Sequence, residues 1–313
     1  MSKYLLAIDG GGTKTDVVIA DESGSIVGRG LSGPTSITTT SVGAASFNLI
    51  EAVRQAVENL PSKEQIEFPL IVMGLAGLDS QKEHDEAYKV FLESLRKYSI
   101  GKFILLNDSL IALENGSENQ NAVILISGTG SNCFGRNENG ETAKTSGMDF
   151  LLTDQGSGYA IGRRVLREAV KSYDGRSPKS LLEKLVTDHF KIASISELKS
   201  VVYNPLLSKV EIAGLSHLCS QAYNEGDQVA KDIFERIVNE IMIMVSTVVS
   251  RLGMQEKSFD CVFSGAITKL PFIQEKLAQM LKAKYNGCNT IFPNEDPVLG
   301  ALKIAVKNYS TTV

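Results

Sequence analysis

Short apolar runs alternate with longer segments of helical periodicity along most of the chain. The short runs, bounded by glycine, proline or acidic turns, predict buried strands. These strands are Tyr4–Ile8, Asp16–Ala20, Ser25–Arg29 and the segments 68–77, 102–108, 121–130 and 259–266. Helical periodicity predicts helices at Val42–Leu60, Glu83–Tyr98, Ser109–Glu114, Pro271–Tyr285 and 293–309, and a largely helical region at Tyr159–Leu252. Strands that alternate with helices indicate an α/β protein with mixed sheets.

The chain repeats one pattern at an offset of 116 residues, since Gly12-Thr13 aligns with Gly128-Thr129. Each pair follows an apolar strand. The turn DESG at Asp21–Gly24 then aligns with NENG at Asn137–Gly140. Internal similarity of this kind predicts two related domains, each with a glycine hairpin. A coincidence between two common hairpins is the alternative.

Length and composition are those of an ordinary globular protein. At 313 residues the chain is long enough for two domains, since single cores seldom grow beyond about 250–300 residues. The formal net charge is −4 and the basic residues are scattered, so neither nucleic acid nor an anionic membrane is an expected partner. The four cysteines form no CxxC pair, which is typical of reduced thiols in a cytosolic protein. No apolar run has the length of a signal peptide or a membrane span, and we expect a cytoplasmic location.

Three glycines follow Asp9 at the end of the first apolar strand, in the stretch AIDGGGTKTD. The spacing matches neither a Walker loop nor a dinucleotide fingerprint, because Lys14 follows Thr13 directly and a strand comes next. Such a strand–turn–strand loop lets backbone N–H groups approach an anion, with glycines at positive φ forming a nest for phosphate. The candidate phosphate ligands are Gly11, Gly12, Thr13, Lys14 and Thr15. Asp9 is placed to hold Mg²⁺ through water, and a glycine hairpin without a ligand is the alternative.

A second glycine loop, SGTGS at Ser127–Ser131, follows the corresponding strand of the repeat. Its candidate phosphate ligands are Gly128, Thr129 and Gly130. Two loops of the same kind at one offset strengthen the phosphate-binding interpretation of the first loop.

Asp108 ends the predicted strand KFILLN. A carboxylate at the end of a strand is placed to accept a proton from an attacking hydroxyl, as phosphoryl transfer requires. The alternative from the residues alone is that Asp108 is the N-cap of the following helix, because caps favour aspartate.

Five stretches, in this order, carry a family resemblance: AIDGGGTKTD, LLNDS, LISGTGSNC, TDQGSGYAIG and FSGAI. They resemble the N-acetylglucosamine kinase and BadF/BadG activator ATPase branch of the actin–hexokinase–Hsp70 superfamily. The resemblance runs from about Leu5 to the C-terminal helix. It implies two ribonuclease-H-like domains with mixed five-stranded sheets around a cleft that binds ATP and Mg²⁺. The domains would comprise 1–113 with 297–313, and 114–296 with helical insertions; a homodimer is implied because relatives are usually dimers.

The resemblance also implies roles for individual residues. Asp108 would be the catalytic base and would contact the sugar, and Thr13 and Thr129 would contact nucleotide phosphates. The sugar would contact Ser131, Asn132 and Asp154. The adenosine side would be lined by Ala213, Ser264, Gly265 and Thr268. For Asp154, an Asx turn before a helix is the alternative.

The sugar-facing wall departs from the family pattern. Met148 and Asp149 replace the usual Gly-Trp pair, Gln155 replaces a glutamate, and Ser36 corresponds to a usual asparagine. These substrate-facing positions leave N-acetylglucosamine, N-acetylmuramic acid, another amino sugar and glucose open as substrates. If Asp149 faces the pocket, its charge should disfavour N-acetylmuramic acid, whose lactyl group is a carboxylate.

Two other functions remain open. An activator ATPase would need cysteine ligands for an iron–sulfur cluster, and Cys219 and Cys261 form only a loosely spaced pair, for which a buried structural role is the alternative. A sugar-sensing or nucleotide-binding module without catalysis is the third interpretation. An intact Asp108 beside two intact glycine loops favours the sugar kinase.

Overall fold

The structure is a computed structural model that describes residues 2–60, 65–78 and 80–310. The chain divides into two compact units, one formed by Met1–Asn119 with Ile291–Val313 and the other by Gln120–Thr290. Each unit has its own five-stranded mixed sheet, so the expected α/β fold is confirmed. The domain limits taken from the resemblance, 1–113 with 297–313 and 114–296, stay a prediction. Among the described residues, the search for a helix with the length and hydrophobicity of a membrane span finds none.

The strands and helices occupy most of the described chain. The strands are β1 Ser2–Gly10, β2 Thr15–Ala20, β3 Ile26–Ser32, β4 Ile66–Leu75, β5 Ser99–Asn107, β6 Ala122–Ser127, β7 Ser131–Arg136, β8 Thr142–Ser146, β9 Phe259–Ser264 and β10 Cys288–Ile291. The helices are α1 Val42–Glu58, α2 Gln81–Ser94, α3 Asp108–Gly116, α4 Asp149–Leu152, α5 Gly158–Asp174, α6 Leu181–Phe190, α7 Leu198–Tyr203, α8 Lys209–Gly214, α9 Ser216–Asn224, α10 Gln228–Arg251, α11 Pro271–Lys284 and α12 Val298–Ser310.

The first unit is built on a sheet with the order β3-β2-β1-β4-β5. β1, β2 and β3 pair antiparallel, and β4 and β5 continue the sheet in parallel with β1. Helices cover both faces, which explains why β1 is apolar at consecutive positions. Leu6 and Ile8 pack in the core that includes α1 and α2, whereas Leu5 and Ala7 pack in the core that includes α3 and α12.

The second unit repeats this arrangement in the order β10-β9-β6-β7-β8. β6, β7 and β8 pair antiparallel, and β9 runs parallel to β6, as β4 runs parallel to β1. The main difference is the connection that follows the third strand. In the first unit it contains α1, whereas in the second it contains the helices α4 to α10.

The turn between the second and third strands is the same in both units. Asp21 Oδ1 accepts the backbone N–H groups two and four residues later, at 2.9 Å each. Asn137 Oδ1 accepts the N–H groups two and four residues later, at 3.1 and 3.0 Å. Each turn ends at a glycine with positive φ, 89° at Gly24 and 76° at Gly140. The 116-residue offset therefore reflects a shared three-dimensional motif.

The sequence misplaced the ends of the second helix. α2 begins at Gln81 rather than Glu83, because the side chain of Ser80 caps it by accepting the N–H of Glu83 at 3.3 Å. It ends at Ser94, and β5 begins at Ser99, before the predicted start of the strand at Lys102. The apolar periodicity alone could not show where the chain turns between these elements.

Candidate active site

The first glycine loop connects β1 to β2. These strands pair antiparallel, and the pair nearest to the loop is Gly10 with Thr15. The N–H of Gly11 donates to the carbonyl of Lys14 at 2.9 Å, which closes the turn. The carbonyl of Gly11 accepts the N–H groups of Thr35 and Ser36 at 3.1 and 3.2 Å. The segment after β3 therefore holds the loop in place.

The side chains of the first loop divide into two groups. Thr13 and Lys14 are exposed, as a phosphate contact requires. Thr15 is fully buried, and its hydroxyl donates to the carbonyl of Gly33 at 2.7 Å. The hydroxyl of Ser36 is likewise buried and donates to the carbonyl of Ala76 at 3.0 Å. The structure thus gives the hydroxyls of Thr15 and Ser36 partners within the protein.

The glycines of the two loops do not adopt positive φ. Their lack of a side chain instead lets other atoms come close to the loop backbone. Among the described residues, the glycines with positive φ lie outside both loops, so the expected nest conformation is wrong. A Cβ on Gly10 would lie 2.4 Å from Thr35 Oγ1, which excludes any side chain there. A Cβ on Gly128 would meet no protein atom within 4 Å, so the second loop faces open space at this residue, whereas a Cβ on Gly130 would lie 2.9 Å from Asp154 Oδ2.

Several charged side chains of the first unit interact around Asp9. Burial, followed by the neighbouring carboxylate of Asp108, raises the pKa of Asp9 to about 7, although Lys14 opposes the shift. Asp16, which pairs directly with Asp9 across β1 and β2, is buried and accepts two hydrogen bonds from Arg29, at 3.0 and 2.6 Å. Arg29 also donates to Asp296 at 2.5 Å, and its pKa lies above the usual range because of these bonds to Asp16 and Asp296.

The donor set around Asp9 fits a cation that needs few protein ligands. Within the described ranges, no group of three or more His, Cys, Asp or Glu side chains could hold a metal ion. Mg²⁺ in nucleotide-binding enzymes usually takes one or two carboxylates and completes its shell with water and phosphate oxygens. A carboxylate whose pKa is raised by burial and by a second carboxylate is suited to such a cation.

Asp108 is the first residue of α3, and Asn107 before it is the N-cap. The Asn107 side chain accepts the N–H of Ser109 at 3.0 Å, so the alternative role of Asp108 as the cap is wrong. The position of α3 is fixed by close packing. A Cβ on Gly300 of α12 would lie 1.8 Å from the carbonyl oxygen of Ile111, and one on Gly74 of β4 would lie 2.3 Å from its side chain. The backbone that carries Asp108 is therefore firmly placed beside Asp9.

The second glycine loop connects β6 to β7 and lies against the N-terminus of α5. The N–H of Gly128 donates to the carbonyl of Gly130 at 2.9 Å. The carbonyls of Gly128 and Thr129 accept the N–H groups of Gly158 and Tyr159, at 2.7 and 3.3 Å. The first N–H groups of α5 are thus used to hold the loop.

The predicted adenosine residues lie around this second loop. Gly265, at the end of β9, has φ +97°, and a Cβ there would lie 2.3 Å from the carbonyl oxygen of Ser127. The hydroxyl of the buried Thr268 donates to the carbonyl of Gly265 at 2.9 Å. Ser264, the residue before Gly265, is the last residue of β9. Ala213 of α8 contacts the same region, since a Cβ on Gly158 would lie 3.5 Å from its carbonyl oxygen. The structure therefore brings all four residues together within the second unit.

The predicted sugar residues of the second unit are also brought together. Asp154 is 3% exposed, and its Oδ1 accepts the N–H of Ser131 at 2.8 Å. Ser131 Oγ and Asn132 Oδ1 are buried and have no hydrogen-bond partner within the described part of the chain. Buried polar atoms in proteins are almost always hydrogen-bonded, so a polar ligand within reach of either atom would satisfy it.

The segment that replaces the family's Gly-Trp wall has an unusual backbone. Positive φ angles occur at Ser146, Gly147, Asp149 and Asp154. The short helix α4 lies in this segment, and Met148, Leu151 and Leu152 are 63%, 83% and 68% exposed. An exposed apolar segment with strained backbone is typical of a functional region rather than of a core.

Lys209, which lies at the start of α8, is a further residue of this region that the sequence did not indicate. Its ammonium group donates to Asp154 Oδ2 at 2.9 Å and also to Asp149 Oδ1. Burial raises the pKa of Asp149, but the hydrogen bonds from Lys209 and the backbone of Phe150 outweigh it, so this pKa lies below its usual range. Asp149 therefore has a cationic partner, and its expected effect on an acidic sugar stays a prediction. No sequence pattern signals Lys209, because its partners are 55 and 60 residues away.

The thiols of Cys261 and Cys288 share a hydrogen bond, which lowers the pKa of Cys288; burial and this hydrogen bond raise the pKa of Cys261. Cys133, Cys219 and Cys261 are buried and Cys288 is half-buried, and all four are free thiols. Burial raises the pKa of Cys133 and of Cys219 well above the usual range of a thiol. Buried thiols of this kind are poor nucleophiles.

Comparison with known proteins finds similarity along nearly the whole length of this chain. The family model described as the BadF/BadG/BcrA/BcrD ATPase family matches residues 6–305. The chain belongs to this family. The resemblance inferred from the five stretches is thereby confirmed.

Members of this family and structures with its fold include named sugar kinases. The N-acetylmuramic acid/N-acetylglucosamine kinase of Clostridium acetobutylicum is 33% identical over 304 residues, which cover 97% of this chain and 98% of that protein. The N-acetyl-D-glucosamine kinase of Dictyostelium discoideum is 26% identical over 322 residues, covering 98% and 99%. A solved structure of a candidate N-acetylglucosamine kinase from Chromobacterium violaceum matches with a TM-score of 0.76 at 20% identity, covering 97% and 99%, and shows the fold alone.

Proposed function

We propose that this chain is an ATP-dependent amino-sugar kinase. The observation that carries the proposal is the pair of buried atoms Ser131 Oγ and Asn132 Oδ1, which lack partners in the described structure. They directly follow a glycine loop whose backbone faces open space at Gly128. A polyhydroxyl ligand next to a phosphate chain would satisfy both features. The two full-length relatives named as kinases of N-acetylglucosamine, one of them also of N-acetylmuramic acid, support the same substrate class.

The proposed reaction is an in-line phosphoryl transfer. A sugar hydroxyl attacks the γ-phosphorus of ATP, and the bond from that phosphorus to the bridging oxygen of the leaving ADP breaks. The hydroxyl proton passes to the carboxylate of Asp108, which later releases it to solvent. Asp108 suits this role because Asn107 caps the helix in its place, so the Asp108 carboxylate is not needed for capping.

The two glycine loops and Asp9 would handle the charge of the nucleotide. Thr13 and Lys14 of the first loop, and Thr129 of the second, are the proposed phosphate contacts. Asp9 is the proposed Mg²⁺ residue, through water. When bound, the cation would neutralise charge on the phosphates. The residues proposed to contact the adenosine of the nucleotide are Ala213, Ser264, Gly265 and Thr268.

The remaining proposals concern the state of the protein. We propose a homodimer that acts in the cytoplasm on sugar and ATP alone. Support comes from the family resemblance and from the scattered basic residues of a chain with a net charge of −4. Light scattering coupled to size exclusion would measure the oligomeric state directly.

A coupled assay for ADP, run with a panel of sugars, ATP and Mg²⁺, tests the proposed function. ADP release that depends on N-acetylglucosamine, with the sugar phosphate identified by mass spectrometry, is the expected result. ATP hydrolysis that does not respond to any sugar would indicate the activator ATPase branch. Binding of the sugar in calorimetry without turnover would indicate a sensor.

A further inference from the structure

Lys209 is the basic residue that contacts the predicted sugar-binding carboxylate. Its ammonium group is 2.9 Å from Asp154 Oδ2, and the other oxygen of Asp154 accepts the N–H of Ser131. Ser131 is one of the residues proposed to contact the sugar, and its hydroxyl is buried without a partner in the described structure. Lys209 is therefore linked through Asp154, by two hydrogen bonds, to the proposed position of the sugar.

The two carboxylates that Lys209 contacts are held very differently. Asp154 is 3% exposed and receives hydrogen bonds on both oxygens, so its contact with Lys209 is fixed. Asp149 is 65% exposed and lies on the short helix α4 with φ +67°. An ion pair with such an exposed carboxylate contributes little to stability and is easily exchanged. Lys209 itself is 21% exposed, so its outer side remains accessible.

We propose that Lys209 binds the carboxylate of an acidic amino sugar, and that Asp149 is its exchangeable partner when the sugar is neutral. The substrate carboxylate takes the position of the Asp149 carboxylate, so Lys209 keeps two anionic partners in both states. The lactyl ether of N-acetylmuramic acid is a substituent of this chemistry. This inference rests on the proposed function and assigns a specificity residue to the same site. It also reverses the expectation from the sequence that the charge of Asp149 disfavours an acidic sugar.

The test compares kcat/KM for N-acetylmuramic acid with kcat/KM for N-acetylglucosamine in each variant. Lys209→Met should lower this ratio by about 10- to 100-fold, because a hydrogen bond between charged groups contributes about 1.5–3 kcal/mol. Lys209→Arg keeps the positive charge and should restore most of the ratio. Asp149→Asn removes the competing carboxylate and should raise the ratio.

Lys184→Met is the matched control. Lys184 is also in the second unit and forms an ion pair with Asp188 four residues away, but it is 75% exposed on α6. Its replacement should leave the ratio unchanged. A merely structural role of Lys209 would reduce kcat/KM for both sugars equally and leave the ratio constant.

The outcomes separate this inference from the proposed function. Wild-type protein that phosphorylates neither sugar overturns both. Wild-type protein that phosphorylates N-acetylglucosamine but not N-acetylmuramic acid overturns the carboxylate site alone, as does a ratio that is constant across Lys209→Met and Asp149→Asn. If Lys209→Met does not fold, because Asp154 is left buried without its cation, the exposed variant Asp149→Asn decides.

Discussion

At the scale of single residues, the structure distinguishes the roles of two neighbouring side chains, which the sequence could not do. Asn107 and Asp108 both precede an apolar helix, and either could cap it. Asn107 accepts the N–H of Ser109, and its amide also donates to the carbonyl of Leu78 at 3.0 Å. Capping therefore belongs to Asn107, and the role proposed for Asp108 does not compete with it.

Asp108→Asn should separate catalysis from folding. We expect kcat to fall by at least about 100-fold, the low end for the loss of a general base. The melting temperature and the affinity for ATP should stay close to wild type, since the helix cap is intact. Asn107→Ala is the comparison variant, and it should lower the stability by about 1 kcal/mol through the lost cap. Near-normal turnover of Asp108→Asn would remove this residue from the mechanism.

Asp9 should reduce the stability of the protein at neutral pH. Its folded pKa, about 7, lies above the ordinary value of 3.8, so the native state binds more protons than the unfolded state between these values. Stability from this group is therefore present below about pH 4 and is lost as the pH rises through 7. Asp9→Asn should remove this pH-dependent loss of stability, because the amide does not ionise.

The measurement is thermal unfolding of wild type and Asp9→Asn from pH 5 to 8, with EDTA present. We expect the variant to melt higher at pH 8, by about 2–4 °C for each kcal/mol gained. The difference should shrink toward pH 5. Addition of Mg²⁺ and ATP should stabilise wild type more than the variant. A variant that melts lower than wild type at pH 8 would contradict the raised pKa.

At the scale of elements, the two hairpin loops are counterparts, and we expect each of them to affect the use of ATP. Thr13→Val and Thr129→Val should each raise KM for ATP, because each removes a hydroxyl donor from a proposed phosphate loop. KM for the sugar should change little in either variant. Thr15→Val is the contrasting variant, since its hydroxyl donates to Gly33, and it should lower the melting temperature. An unchanged KM for ATP in one threonine variant would exclude that loop from phosphate binding.

The elements themselves could largely be predicted from the sequence, because local signals determine them. Apolar runs located the strands, and the repeated turns Asp21–Gly24 and Asn137–Gly140 exposed the duplication. Contacts between distant segments could not be predicted in this way. Lys209 is the clearest example, since two partners far away in sequence define its role. The backbone geometry of the loops could not be predicted either. Gly10, for example, is required because Thr35, on a different segment, packs against it.

At the scale of the whole molecule, the first unit is closed by the last helix of the chain. α12 buries Val298, Ala301, Leu302 and Ala305 against the face of the sheet formed by β1, β2 and β4. The second unit, Gln120–Thr290, has its own sheet and contains no part of α12. The two units therefore depend on the end of the chain to very different degrees.

Truncation after Pro297 should unfold the first unit selectively. Loss of the four buried side chains of α12 removes on the order of 5 kcal/mol of apolar burial, which is comparable with the total stability of many domains. Hydrogen exchange followed by mass spectrometry should show protection lost in β1, β2 and β4 and retained in β6, β7 and β9. Leu302→Ala is the milder control, with an expected loss of about 2–5 kcal/mol and an intact exchange pattern at low temperature. Equal loss of protection in both units would mean that the second unit cannot fold without the first, and retained protection in β1 would show that α12 is dispensable for the core.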